Sequence, residues 1–325
     1  MPGTIELLKS YEEKWEHRSH FEISTSGSTG KPKPWLYKRD LLEWSALQTK
    51  KYFVPATVKK QLIALPLDKA GGFFQWVRSK VWNMPFDWVE PSANPLLKYK
   101  GDAQLMSLTP MQIRAVLEHE LSREKLSQFH AVLIGGASID PGLEATLTKE
   151  FSHISWTHTF GMTETYSHFA GRALGQEYYR CIDDTEIRIN AKGQLEMNNP
   201  ITQGWLTTQD IVHIEEDQTF KWFGRSDFVI NSGGIKIQLE TIEQALRLAH
   251  DLKEDDFFCW WQPDSALGQA LIACVKTGVP IPSKWKVSNP YFQPKATFQF
   301  ETLITTKTGK INRRATSELI IRHKG

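Results

Sequence analysis

The spacing of apolar positions changes character twice along this chain of 325 residues. Over the first part, short β-rich apolar runs alternate with helical patterns, which predicts an α/β unit built on a sheet. Residues 61–67 (QLIALPL) read as a buried strand stopped near Pro66. Residues 131–134 (AVLI) read as another, delivered into Gly135 and Gly136, and residues 154–160 as a third that ends at Gly161. Thr109 followed by Pro110 is a helix start, an N-cap with proline in the first helical position, and predicts a helix over 111–121. After residue 185 the pattern becomes one of short alternating strands at 185–189, 194–197, 211–214 and 220–223.

A further change falls near Asp227. Beyond it Leu239, Ile242, Leu246 and Ala249 lie on one helical face, and apolar strands follow at 257–261 and 271–275. A connection containing Pro280, Pro282, Pro290 and Pro294 then leads to a final amphipathic helix from about Asn312. The predicted organisation is a large α/β domain over 1–226 and a small α+β domain over 227–325.

Composition narrows the classes. The chain is 40% hydrophobic and 23% charged, the profile of a soluble globular protein. A net charge of +2 lacks the basic surplus of a general nucleic-acid binder. No apolar stretch of about 18 residues is present, so no membrane span is expected. Glu6, Glu12 and Glu13 in an N-terminus without an apolar run argue against a secretory signal. Cys181, Cys259 and Cys274 are scattered and form no CxxC pair; they read as buried free thiols and predict a reducing, cytoplasmic location. The 12 tryptophans are dispersed and read as core and pocket wall.

The richest segment for chemistry is residues 25–33 (TSGSTGKPK). Gly27 and Gly30 allow backbone conformations closed to other residues, so the chain can approach an anion closely. Ser24, Thr25, Ser26, Ser28 and Thr29 supply hydroxyls, and Lys31 and Lys33 supply positive charge, which suits a polyphosphate. The loop is not a Walker A motif: Thr25 stands at the position of its first glycine and Pro32 follows the lysine. Taken alone, such a tract reads slightly better as a flexible linker; the interleaved lysines and the strand-like residues 21–23 before it shift the balance toward phosphate binding.

This loop resembles the phosphate-binding signature of the adenylate-forming superfamily, which includes acyl-CoA synthetases, peptide-synthetase adenylation domains and luciferases. Further segments resemble that family's motifs in the correct order, spanning residues 21–314. The resemblance implies the following assignments. Gly135, Gly136 and Ala137 form the turn flanking adenine. In residues 160–164 (FGMTE), Phe160 stacks near adenine, Gly161 is the motif glycine, Thr163 bonds the α-phosphate and Glu164 helps to hold Mg²⁺. A carboxylate beside phosphates makes physical sense only with a hard cation between them. Asp210 accepts hydrogen bonds from ribose, Arg225 contacts the nucleotide, and Asp227 is the hinge of the small domain. Gly233, Gly234 and Lys236 line the coenzyme A tunnel, and Lys310 is the catalytic lysine. ATP, Mg²⁺ and coenzyme A are the implied cofactors, and the fold is that of adenylate-forming enzymes.

Within the superfamily the run 161–168 (GMTETYSH) resembles the 2-succinylbenzoate–CoA ligases of menaquinone synthesis, implying that dicarboxylic acid as substrate. Lys69 and Arg78 are candidate cations for its distal carboxylate; His158 and His168 read as structural. Three departures stand out. The chain begins only about twenty residues before the phosphate loop, shorter at that end than full-length relatives. Lys69 stands where relatives usually carry histidine, and Leu239 replaces a common proline before Glu240. The implied mechanism has Lys310 serve acyl-adenylate formation, after which the small domain rotates about Asp227 to present Gly233 and Gly234. Other aryl- or acyl-CoA ligases, enzymes that load a carrier protein, and an inactive nucleotide-binding relative are the competing readings.

Overall fold

The computed structural model describes residues 4–25, 33–215, 218–305 and 311–322. An amphipathic helix α1 (Thr4–His17) leads into an antiparallel hairpin of β1 (His20–Thr25) and β2 (Lys33–Lys38). Helix α2 (Arg39–Phe53) follows. The next stretch alternates strand and helix: β3 (Gln61–Ile63), α3 (Ala70–Trp82), β4 (Phe86–Trp88), β5 (Leu105–Leu108), α4 (Pro110–Leu117), α5 (Glu120–Leu126), β6 (Ala131–Ile134), α6 (Pro141–Glu150) and β7 (Ser155–Met162). Strands β3 to β7 pair in parallel in the order β4-β3-β5-β6-β7.

Both faces of this parallel section are covered, as such sheets require. Leu105, Ala131 and Leu133 pack with Phe53 of α2 and Trp82 of α3. Their alternates Met106, Leu108, Val132 and Ile134 pack on the other side with Ile113 and Val116 of α4 and Leu143 and Leu147 of α6. The period of two in β5 and β6 thus divides the core between two helical layers. Beneath the β1–β2 hairpin, Tyr11, Trp15, Phe21, Phe73 and Trp76 form a continuous aromatic cluster.

At β7 the sheet changes character. Strands β8 (Ser167–Ala173), β9 (Tyr179–Cys181), β10 (Glu186–Ile189), β11 (Gln194–Asn198), β12 (Leu206–Ile214) and β13 (Thr219–Arg225) continue it with antiparallel pairings, ordered β7-β8-β9-β13-β12-β11-β10. A second sheet then begins, with β14 (Val229–Ser232), β15 (Ile235–Gln238), β16 (Phe257–Asp264), β17 (Gly268–Lys276) and β18 (Ala296–Phe300), packed against α7 (Leu239–His250) and followed by α8 (Arg313–Arg322). Leu239, Ile242 and Leu246 face its core as their spacing predicts.

Several elements differ from the sequence pattern; β12, for example, begins at Leu206 and not at 211. The strand expected over 61–67 is paired only over β3, because β4 and β5 run beside residues 61–63 alone. Residues 66–69 turn instead, with the Lys69 N–H donating to the Pro66 carbonyl. The helix expected over 111–121 ends at Leu117, where extended backbone at His119 separates it from α5. Its start is as expected: Thr109 and Gln112 form a reciprocal capping box before Pro110. Strand β7 runs through Gly161 to Met162 rather than stopping there, because a bulge between Phe160 and Gly161 lets β8 keep pairing. The three cysteines are free and buried. Among the described residues, no helix is long and apolar enough to cross a membrane.

Candidate functional site

In open α/β sheets ligands gather outside the carboxyl ends of parallel strands, at the point where strand order switches. Here two of the candidate motifs lie at such ends, those of the neighbouring parallel strands β6 and β7, while the order itself switches at β3, which has β4 on one side and β5 on the other. Gly135 follows β6, its N–H donating to the Leu108 carbonyl, and Gly136 has φ +86°, a conformation side chains resist. The turn is anchored from β7. His158 Nε2–H donates to the Ala137 carbonyl at 3.0 Å, which fixes the tautomer, and the Tyr179 hydroxyl donates to His158 Nδ1 at 2.8 Å.

Burial lowers the His158 pKa to about 4. The folded protein therefore binds the proton more weakly than the unfolded chain, whose histidine titrates near 6.5. The stability contributed by neutral His158 is complete above that value and is lost as pH falls toward 4, about 3 kcal/mol in all. Urea midpoints should drop across this window, and more shallowly in His158→Gln.

Phe160 sits edge-on to Phe169, Tyr179 and Phe220, which fixes the start of the FGMTE motif. A β-carbon on Gly161 would overlap the Ser167 backbone carbonyl, which cannot move aside as a side chain could. Gly161→Ala should lower stability by roughly 2–4 kcal/mol, read by chemical denaturation. Thr163 and Glu164 lie in a single turn of 3₁₀ helix, residues 163–165. Buried Thr165 holds that turn: its hydroxyl accepts from the Met162 N–H at 2.9 Å and lies 2.9 Å from the Ser167 carbonyl. Glu164 borders an open cleft of about 310 Å³ with Trp35, Lys38, Leu41, Tyr166 and Ile201. A larger hollow of about 580 Å³, beside Asp184 and Asn199, contains none of the motif residues and has no such chemistry.

Behind the turn, Arg78 of α3 is buried, and its guanidinium reaches Ser167 Oγ at 2.7 Å and Ser107 Oγ at 3.4 Å. No carboxylate pairs with it among the described residues. Burial pulls its pKa down to about 10, so it stays charged at neutral pH. The neighbouring bonds run in one consistent direction. Arg78 donates to Ser167 Oγ, whose O–H donates to His168 Nδ1 at 3.1 Å; His168 Nε2–H donates to Thr49 Oγ1 at 2.8 Å, which donates to the Ser45 carbonyl. Burial and Arg78 together hold the His168 pKa well below its usual value, so His168 is a neutral orienting group. Lys69 differs from Arg78: it is half-exposed and paired with Asp68 at 2.9 Å.

On β12, buried Asp210 accepts a hydrogen bond from Trp222 Nε1 at 2.9 Å and stands opposite Arg225 of β13. Burial raises its pKa. The Arg225 guanidinium grips Asp227 at 3.0 and 3.2 Å, while the Arg225 N–H donates to Glu240 Oε2 at 2.7 Å. Gly224, at φ +129°, makes this junction possible, since a side chain there would run into the Gln238 amide and the Glu240 carboxylate. Gly233 and Gly234 form the two-residue turn between β14 and β15, both with positive φ, and Lys236 lies on β15 beside Asn231.

Thr25 closes β1 and Lys33 opens β2; the intervening Ser26, Gly27, Ser28, Thr29, Gly30 and Lys31 lie outside the described residues, as does Lys310. Asp210 and Arg225 are brought together, and Glu164 lines one cleft with Trp35, Leu36 and Lys38 of β2. The pattern of residues did not single out Tyr37 or Ser107, because single polar residues in apolar or mixed runs carry no motif; Ser167 lies in the GMTETYSH run and Glu240 follows Leu239, but neither carries a role on sequence alone.

The family model for AMP-binding enzymes matches residues 19–221. A crystal structure of an acyl-CoA synthetase (AMP-forming)/AMP-acid ligase II-like protein from Dyadobacter fermentans is 31% identical, with 96% of this chain and 93% of that one covered and a TM-score of 0.63. The O-succinylbenzoate coenzyme A synthetase of Bacillus subtilis, solved with ATP and magnesium ion, shares the fold at 19% identity and a TM-score of 0.75, with 91% of this chain and 69% of that chain covered. The wild-type Escherichia coli MenE, solved with a bound analogue of OSB-AMS, gives 20% identity, a TM-score of 0.66, and 93% and 69% coverage. No curated protein matches. The chain belongs to the AMP-binding enzyme family, and its fold is that of the AMP-forming acyl-CoA synthetases.

Proposed function

We propose that this chain is an AMP-forming acid–CoA ligase whose substrate carries a second carboxylate, with 2-succinylbenzoate the leading candidate. The observation that carries the substrate assignment is Arg78, a buried cation with two serine partners and no counter-charge among the described residues. The two hydroxyls accept one bond from each terminal nitrogen but leave its charge unbalanced, and an unpaired buried charge is costly. A distal carboxylate would supply the missing partner in a charge-assisted bond. Lys69, already neutralised by Asp68 and open to water, suits this role less well.

Adenylation brings one anion to another, a carboxylate to an α-phosphate, so the protein's task is to neutralise charge and align the reactants. The 25–33 loop and Lys310 would supply positive donors, Thr163 a hydroxyl for the α-phosphate, and Asp210 an acceptor for ribose. The Glu164 carboxylate has no hydrogen bond or ion pair to another described residue and lines the cleft, which fits a Mg²⁺ site of one carboxylate completed by phosphates and water. When bound, Mg²⁺ would neutralise phosphate charge there. The AMP of the resulting mixed anhydride is a good leaving group, so the thiol of coenzyme A can displace it. Rotation about Asp227 would withdraw Lys310 and bring Gly233, Gly234 and Lys236 to the acyl carbon. The ion pair of Arg313 with buried Glu243, at 2.7 Å, ties the start of α8 to α7.

A panel of carboxylic acids tested for AMP release with and without coenzyme A checks this reading. Release that needs both 2-succinylbenzoate and coenzyme A supports it. Release with monocarboxylic acids alone moves the assignment to another acyl- or aryl-CoA ligase, and transfer only to a carrier protein moves it to a loading enzyme.

A further inference from the structure

Tyr37 is a residue that neither the motifs nor the proposed mechanism uses. It lies on β2, just after the phosphate loop, paired with Phe21 across the hairpin. Its ring is fully buried and held edge-on by Phe74 at 5.2 Å and Tyr166 at 4.9 Å. A phenylalanine would satisfy that packing. The hydroxyl, however, is buried without a hydrogen-bond partner, an expensive arrangement for a group that water would otherwise solvate.

The hydroxyl lies near the Thr163–Thr165 turn. Tyr166, which closes that turn at φ +51°, packs on the Tyr37 ring and accepts the Lys38 N–H at 3.1 Å, and its carbonyl accepts from Ser45 Oγ at 2.7 Å. The turn is therefore fixed over Tyr37 on several sides. The Thr163 side chain is near enough to act on the Tyr37 hydroxyl as a hydrogen-bond partner would, and Glu164 near enough to act through its charge, although no bond of normal distance and angle is formed. Burial first, then the charge of Glu164, push the Tyr37 pKa upward, so the group is a donor and not a base.

We propose that Tyr37 is a positioning residue of the nucleotide site: when a nucleotide phosphate binds at the turn, its hydroxyl donates to Thr163 Oγ1, so that the Thr163 O–H points to the phosphate oxygen. A hydroxyl both accepts and donates, and a fixed donor behind Thr163 leaves its own proton only one direction to go. The relay also adds a donor beside Glu164, whose charge would otherwise repel the phosphates. This inference rests on the reading of Thr163 and Glu164 as phosphate-site residues.

Tyr37→Phe removes the hydroxyl and keeps the ring. We expect its MgATP dissociation constant, measured by titration calorimetry, to rise roughly three- to tenfold, the range of one neutral hydrogen bond. Ligand-free thermal stability should stay equal or rise, since an unpartnered buried hydroxyl has been deleted. An unchanged dissociation constant in Tyr37→Phe, with normal binding by the wild type, overturns the role of Tyr37 alone. A weaker constant accompanied by a matching fall in ligand-free stability also overturns it, because the hydroxyl would then be structural. Failure of the wild type to bind MgATP at all removes the nucleotide site and this inference with it.

Discussion

Replacing Lys310 by alanine should cut acid-dependent exchange of labelled pyrophosphate into ATP by about a hundredfold or more, while thioester formation from supplied acyl-adenylate changes little. The expectation follows from the charge problem of the first step. A carboxylate nears a phosphate bearing like charge, and one well-placed donor in a site shielded from water contributes roughly 3–4 kcal/mol at the transition state. In the second step a thiol attacks an acyl carbon, and the lysine would stand in the way of coenzyme A. The two half-reactions therefore separate in this variant. Equal loss in both would refute the division of labour and the rotation about Asp227.

Arg78→Met should lower kcat/KM for 2-succinylbenzoate by about tenfold to a hundredfold, the range of a charge-assisted hydrogen bond. Activity with an unsubstituted aryl monocarboxylic acid should be retained, because that acid has no distal charge to lose. Thermal stability should hold or improve, since methionine follows a similar path through the core and removes a buried cation without a carboxylate partner. A uniform loss across all acids would make Arg78 a structural strut between Ser107 and Ser167. A loss confined to the dicarboxylic acid, with stability intact, assigns it to substrate selection.

The parts of this chain that could be read from its residues are those whose chemistry is local. The strand at 131–134 is apolar throughout because helices cover both sides, and it appears at those residues in the structure. Thr109 and Pro110 announce a helix through capping that needs nothing distant. Leu239, Ile242 and Leu246 show their stripe because one face of α7 remains in water. Helix α3 carries no such signal: Phe73, Phe74, Trp76, Val77 and Trp82 bury most of its circumference between the hairpin, α2 and the sheet. Strands β3 and β4 are three residues each, too short for alternation to register.

The site divides in the same way. The glycine-and-hydroxyl loop, the FGMTE run and Asp210 could be named as motifs, since each is contiguous. Arg78 could be named as a cation, but its isolation depends on Ser107 from β5 and Ser167 from β8, which lie far apart in sequence. Tyr37 is one aromatic among many until Tyr166 and the Thr163 turn are folded over it. The orienting chain from Arg78 through Ser167 and His168 to Thr49 likewise exists only once α2, α3 and β8 have packed.

One measurement goes to the heart of the account: incubating the wild-type protein with ATP, Mg²⁺, labelled pyrophosphate and 2-succinylbenzoate, without coenzyme A. A reversible acyl-adenylate step predicts label in ATP only when the acid is present, with thioester appearing once coenzyme A is added. ATP that gains no label with any carboxylic acid, or that is instead split to ADP, would contradict it.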